Sequence, residues 1–86
     1  MSAVTWSDVA EWLNARDYDA EGDCPWCDLV GNAGGGPTNR ERRDIVTKQW
    51  ALLADAPFAP ALKAWIDSPK SQNNEFESGA WQEVAP

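Results

Sequence analysis

The sequence predicts a mostly α fold: a small single domain of about three helices, with a long acidic and Gly-rich connection and a polar C-terminal tail. Three observations carry this. Apolar residues recur at helical spacing in three separate stretches. The first two stretches each follow a threonine with an acidic residue three positions on, Thr5 with Asp8 and Thr38 with Glu41, the arrangement that closes a helix N-terminus. The third begins at Pro60, just after Ala56-Pro57 breaks the preceding helix, and proline suits the first turn of a helix. Residues 1–68 form the helical body on this reading, and 69–86 a tail that is either disordered or docked.

The first helix is expected over residues 5–16. Trp6, Val9, Ala10 and Leu13 fall at offsets 3, 4 and 7 and make one apolar stripe. Trp12 lies toward the edge of that stripe. The connection then runs from 17 to 38. Its second half, Gly31 to Pro37, holds four glycines and a proline in seven residues and reads as a flexible link. A phosphate-gripping loop would need a Gly-Lys-Ser/Thr ending, whereas Gly36-Pro37-Thr38 stands here. Arg40, Arg42 and Arg43 follow, and an anion site at that helix start is the competing reading.

The second and longest helix is expected over 39–55. Val46, Trp50 and Leu53 share one face, with Ile45, Gln49 and Leu52 beside them, while Arg40, Glu41, Arg43, Asp44 and Lys48 are expected in water. Three arginines in the first turns oppose the helix dipole, at a few tenths of a kcal/mol each. A solvated charged face is the simpler account of them, and acidic neighbours the sharper one. The third helix, over 60–67, buries Leu62, Trp65 and Ile66 and ends before Ser68-Pro69. Beyond it the composition turns polar, with Phe76, Trp81 and Val84 as three apolar anchors and Ser78-Gly79 as a turn.

The chain has 86 residues, the size of one domain. A chain this short buries only about 60% of its unfolded surface, and six tryptophans supplement the core. Trp6, Trp50 and Trp65 have aliphatic neighbours at helical spacing and belong inside. Trp12, Trp26 and Trp81 lack them and are candidates for a binding surface, where tryptophan is enriched.

Any chemistry should sit in the stretch from Asp17 to Asp28, DYDAEGDCPWCD, which holds both cysteines and five of the fourteen acidic residues. Asp17, Asp19, Glu21, Gly22, Asp23 and Asp28 occupy positions 1, 3, 5, 6, 7 and 12 of a twelve-residue loop. That spacing resembles the calcium loop of EF-hand proteins and implies a hard-cation site. It departs from the family in having Asp at position 12, Cys24 at position 8 and no exiting helix. Cys24-Pro25-Trp26-Cys27 resembles the active-site motif of glutaredoxin-type thioredoxin-fold proteins, which implies thiol redox chemistry. No strand leads into it, Gly31 cuts off the long helix that should follow, and Asp23 and Asp28 oppose a thiolate. The fold of that family is therefore not expected. The same pair of cysteines is half of a structural zinc site. With no histidine and no third cysteine, zinc would need carboxylates or a homodimer in which two chains share four sulfurs, an arrangement similar to the zinc hook of long coiled-coil proteins. The simplest reading makes Cys24 and Cys27 small buried side chains closing a turn, with Trp26 as a plug and the acids as a solvated loop.

Fourteen acidic residues against seven basic ones leave a net charge of −7. Nucleic acid and anionic membrane both demand a basic face, so neither is expected as a direct partner. No transmembrane run and no signal peptide is apparent, and the cytoplasm is the expected compartment. No catalytic constellation is present, so an enzyme is not expected. The functional expectation is an acidic protein-binding module that meets a basic surface of a partner protein through Asp17, Asp19, Glu21, Asp23, Trp26, Asp28, Trp12 and Trp81. An inhibitor that mimics nucleic-acid charge is its sharper form. The alternative is a metal-stabilised structural or regulatory domain, with zinc on Cys24 and Cys27 or calcium on the acidic loop.

Native mass spectrometry of protein purified without added metal is expected to show a bare chain with both thiols reduced. Zinc or calcium at a fixed ratio would instead make the 17–28 stretch a metal site.

Overall fold

The computed structural model describes residues 3–16, 25–31, 36–76, 79 and 81–85. The chain is mostly α. Among these residues the helices are α1 (Trp6–Asn14), α2 (Pro25–Leu29), α3 (Asn39–Lys48), α4 (Trp50–Leu53) and α5 (Ala59–Ile66), followed by a 3₁₀ turn over Pro69–Gln72. None is long and apolar enough to cross a membrane.

The capping box expected at Thr38 and Glu41 forms, and the Thr5 cap proves to be a second one, with Asp8 bonding back. Thr5 Oγ1 accepts from the Asp8 amide at 3.3 Å, and the Asp8 carboxylate accepts from the Thr5 amide at 2.9 Å. Thr38 and Glu41 repeat the exchange at 3.1 and 3.3 Å. The stripe of α1 is buried as its spacing predicts: Trp6, Val9, Ala10 and Leu13 are all inside. They meet Leu29 of α2, Val46 of α3, Leu53 of α4 and Leu62 and Trp65 of α5 in one core. Trp6 and Trp65 lie edge to face, with ring centroids 4.8 Å apart, a geometry aromatic quadrupoles favour. Trp50 is half-buried against this core.

The structure differs from the sequence-based expectation in three places. The helix expected over 39–55 is interrupted at Gln49, whose φ of −98° and ψ of 18° leave the helical range. Two residues earlier the Thr47 hydroxyl donates to the Arg43 carbonyl at 2.7 Å, a back-bond that bends helices. A short helix, α2, stands where only a connection was expected. Proline at its first position suits a helix start, and Gly31 closes it with a positive φ of 90°, its amide donating to the Trp26 carbonyl at 2.9 Å.

The third difference is Arg42, which is fully buried. Its Nε donates to the Leu29 carbonyl at 2.8 Å, one of the C-terminal carbonyls that α2 cannot satisfy internally. Its guanidinium carbon lies 4.9 Å from the centroid of the Trp6 ring, within cation–π range. Asn39, on the same face one turn earlier, is also buried, and Arg43 is half-buried rather than in water.

The C-terminal segment is bonded to the helices. The first two amides of α3, on Asn39 and Arg40, donate to the carbonyls of Glu75 and Asn73, each at 3.2 Å. The first amide of α1, on Trp6, donates to the Gln82 carbonyl at 3.0 Å, and the Val84 amide to the Val4 carbonyl at 2.7 Å. Val84 is buried in the core. The amides that an anion at the start of α3 would need are thus already occupied.

Arg42→Ala is expected to destabilise the fold by about 3 kcal/mol, from a lost charge-assisted hydrogen bond and a cavity beside Trp6. Urea unfolding checks this, and a loss under about 1 kcal/mol would show that the guanidinium is not a structural tie.

Candidate interaction surface

The described residues between Asn73 and Ala85 are tied to the helices through their backbone. Antiparallel bridges join Phe76 to Thr38 and Glu83 to Thr5. Both threonines are helix N-caps with extended dihedrals, so each offers a single residue of strand for pairing. Between the bridges, the Gly79 amide donates to the Val30 carbonyl at the end of α2, at 2.9 Å. Gly79 has a φ of 143°, where any other residue would be strained.

Fixed in this way, the segment buries Val84 and leaves Phe76 76% and Trp81 84% exposed. Gly79, two residues before Trp81, and Gln82, directly after it, are both held by backbone hydrogen bonds. Gln82 is held a second time, its side-chain Oε1 lying 3.5 Å from Nη1 of Arg42. The exposed carboxylates of Glu75 and Glu83 lie on the same segment. The bond from Gly79 ties the segment to the end of α2, the helix that carries the half-buried Trp26 and Asp28.

The other residues expected at a binding surface divide into two sets. Trp12 is half-buried, and its indole Nε1 donates to the Leu52 carbonyl at 2.7 Å. Its ring meets Phe58 edge to face at 5.7 Å, and the Arg16 guanidinium stacks over it at 3.3 Å. Trp12 therefore joins α1 to α4 and α5, with its outer face under Arg16. Asp17, Asp19, Glu21, Asp23 and Cys24 lie outside the described residues. Cys27 falls within α2, but its side chain lies outside them too. Among the described residues no group of three metal-binding side chains comes together.

Comparison with family models, with curated proteins and with solved structures finds no match.

Phe76 was legible only as one of three apolar anchors in a polar tail. The signal for its exposure is its neighbourhood, since Asn73 to Glu77 contains no other apolar residue to pack beside it.

Trp81→Phe is expected to leave stability within about 0.5 kcal/mol of the parent and to remove the tryptophan emission most readily quenched by acrylamide. A shielded, blue-emitting Trp81 would contradict the exposure described.

Proposed function

We propose that this chain is a small acidic module that binds a basic surface of another protein, with Trp81 and Phe76 as its apolar anchors. The observation that carries this reading is the display of a nearly fully exposed indole from a backbone anchored on both sides. Little ordering entropy is then lost when the ring is buried by a partner, and preorganised aromatic side chains are the usual centres of binding energy. The net charge of −7 supports a basic counterpart, since charge complementarity steers encounter and suppresses wrong partners. The acidic residues Asp17, Asp19, Glu21 and Asp23 directly precede α2 in the chain and extend this surface in the proposal. In its sharper form the module is an inhibitor that presents carboxylates where a nucleic-acid-binding protein expects phosphates.

The test begins with affinity capture of a partner and compares three chains against it by calorimetry. Trp81→Ala is expected to weaken binding about 30-fold, the size of a hot-spot loss of about 2 kcal/mol. Exchanging Asp17, Asp19, Glu21 and Asp23 together for Asn and Gln is expected to abolish binding while the helical circular dichroism stays unchanged. Competition by duplex DNA supports the charge-mimic form. Unchanged affinity in both variants would sink the proposal.

A further inference from the structure

A groove of about 520 Å³ opens between Ala3 and Val4 near the N-terminus, the α4–α5 connection and the C-terminal residues Glu83 and Val84. Its size lies in the range of small-ligand and anchor pockets. Its walls include Val4, Pro57, Phe58, Pro60, Ala61 and Val84, and Glu83 is the one charged residue among the described lining. We infer that this groove seats one bulky apolar side chain of the partner, carried on a segment with Lys or Arg on either side. The inference rests on the basic-partner reading above and names what that partner presents.

Three features favour this occupant. The walls are preorganised: two prolines fix their own dihedrals, Phe58 is held against Trp12, and Val84 is tied to Val4. The nearby charge is acidic. Glu83 pairs with Thr5, whose amide is bound by the exposed carboxylate of Asp8. Lys63 on α5 is not among the described residues that line this groove. It pairs with Asp67 at 3.4 Å and lines a different hollow with Trp50 and Ile66. The third feature is proximity. Trp81 and Glu83 are two residues apart, so their Cα atoms lie within about 7 Å, and one partner segment can cover both. A second copy of this chain is disfavoured, since it would bring another net charge of −7 to the same acidic mouth.

The test is an amide chemical-shift titration of the full ¹⁵N-labelled chain with two capped peptides at low salt. One reads Lys-Arg-Leu-Arg-Lys, and the other has alanine in place of the leucine. The leucine peptide is expected to move the amides of Val4, Phe58, Ala61 and Val84, with at least about tenfold tighter binding than the alanine peptide. Glu83→Gln is expected to weaken the leucine peptide several-fold and to flatten its salt dependence. No groove shifts at millimolar peptide, or equal shifts from both peptides, would overturn the inference. So would groove shifts on concentrating the protein alone, which would assign the groove to a second copy. Shifts confined to Trp81 and Phe76 would overturn the groove and leave the binding module standing. Groove shifts together with undiminished partner binding by Trp81→Ala would keep the groove and remove Trp81 as the anchor.

Discussion

A guanidinium with no exposure to water holds the chain together. Arg42 reaches from α3 to the last carbonyl of α2, lies over the Trp6 ring of α1, and approaches the Gln82 side chain of the C-terminal segment. Removing an arginine from water costs several kcal/mol, and only good hydrogen-bonding geometry offsets that. The planar, multiply donating guanidinium suits such a position, because its donors point along fixed directions while its face stacks on an aromatic ring. A lysine offers one compact charge and could not make these contacts together. The arrangement also explains why α2, with five residues, persists beside larger helices. Its free carbonyl end is met by a buried cation, and its Leu29 enters the core.

Helix N-termini impose the second constraint. The leading amides of a helix have no internal acceptors, and the capping threonines satisfy only some of them. Here carbonyls of the C-terminal segment accept from the first amide of α1 and from the first two of α3. An N-cap residue is extended, so the same threonine that closes a helix also pairs with the passing chain. The polar tail is held mostly by backbone groups rather than side-chain burial, with Val84 as its main apolar contribution.

These two constraints explain which parts of the fold were legible in the sequence. Apolar periodicity located α1, α3 and α5, and the capping threonines Thr5 and Thr38 marked two helix starts. The stripe Val46, Trp50, Leu53, continued backwards at the same spacing, passes through Arg42 and Asn39. The spacing thus puts both residues on the inner face, whereas the sequence reading counts Arg42 with the solvated arginines and leaves Asn39 unassigned. The pairing that overrides polarity here is tertiary, with Leu29 thirteen residues away and Gln82 forty, and local pattern carries no trace of it. The interruption at Gln49 was hidden for a similar reason. No proline or glycine marks it, and the local signal is only a threonine hydroxyl turned back on its own helix. Of the candidate surface, the exposure of Trp81 was legible from its polar neighbours. The engagement of Trp12 with Leu52 was not, because it spans forty residues.

The sorting of the tryptophans bears on function through its energetics. An indole and a phenyl ring left in water forgo roughly 25 cal/mol per Å² of burial, several kcal/mol in total for side chains that can bury 150–250 Å² each. Domains of this size have only about 5–10 kcal/mol of stability. A loose tail could leave aromatics in water simply because nothing orders it. That account does not apply to a segment bridged at Phe76 and Glu83, bonded at Gly79 and Gln82, and able to turn Val84 into the core one residue beyond Glu83. The backbone that buries Val84 is the same backbone that holds Trp81 outward. The outward indole is therefore a consequence of the fold's own hydrogen bonding, and in the proposed function a partner surface supplies the burial that the chain alone forgoes.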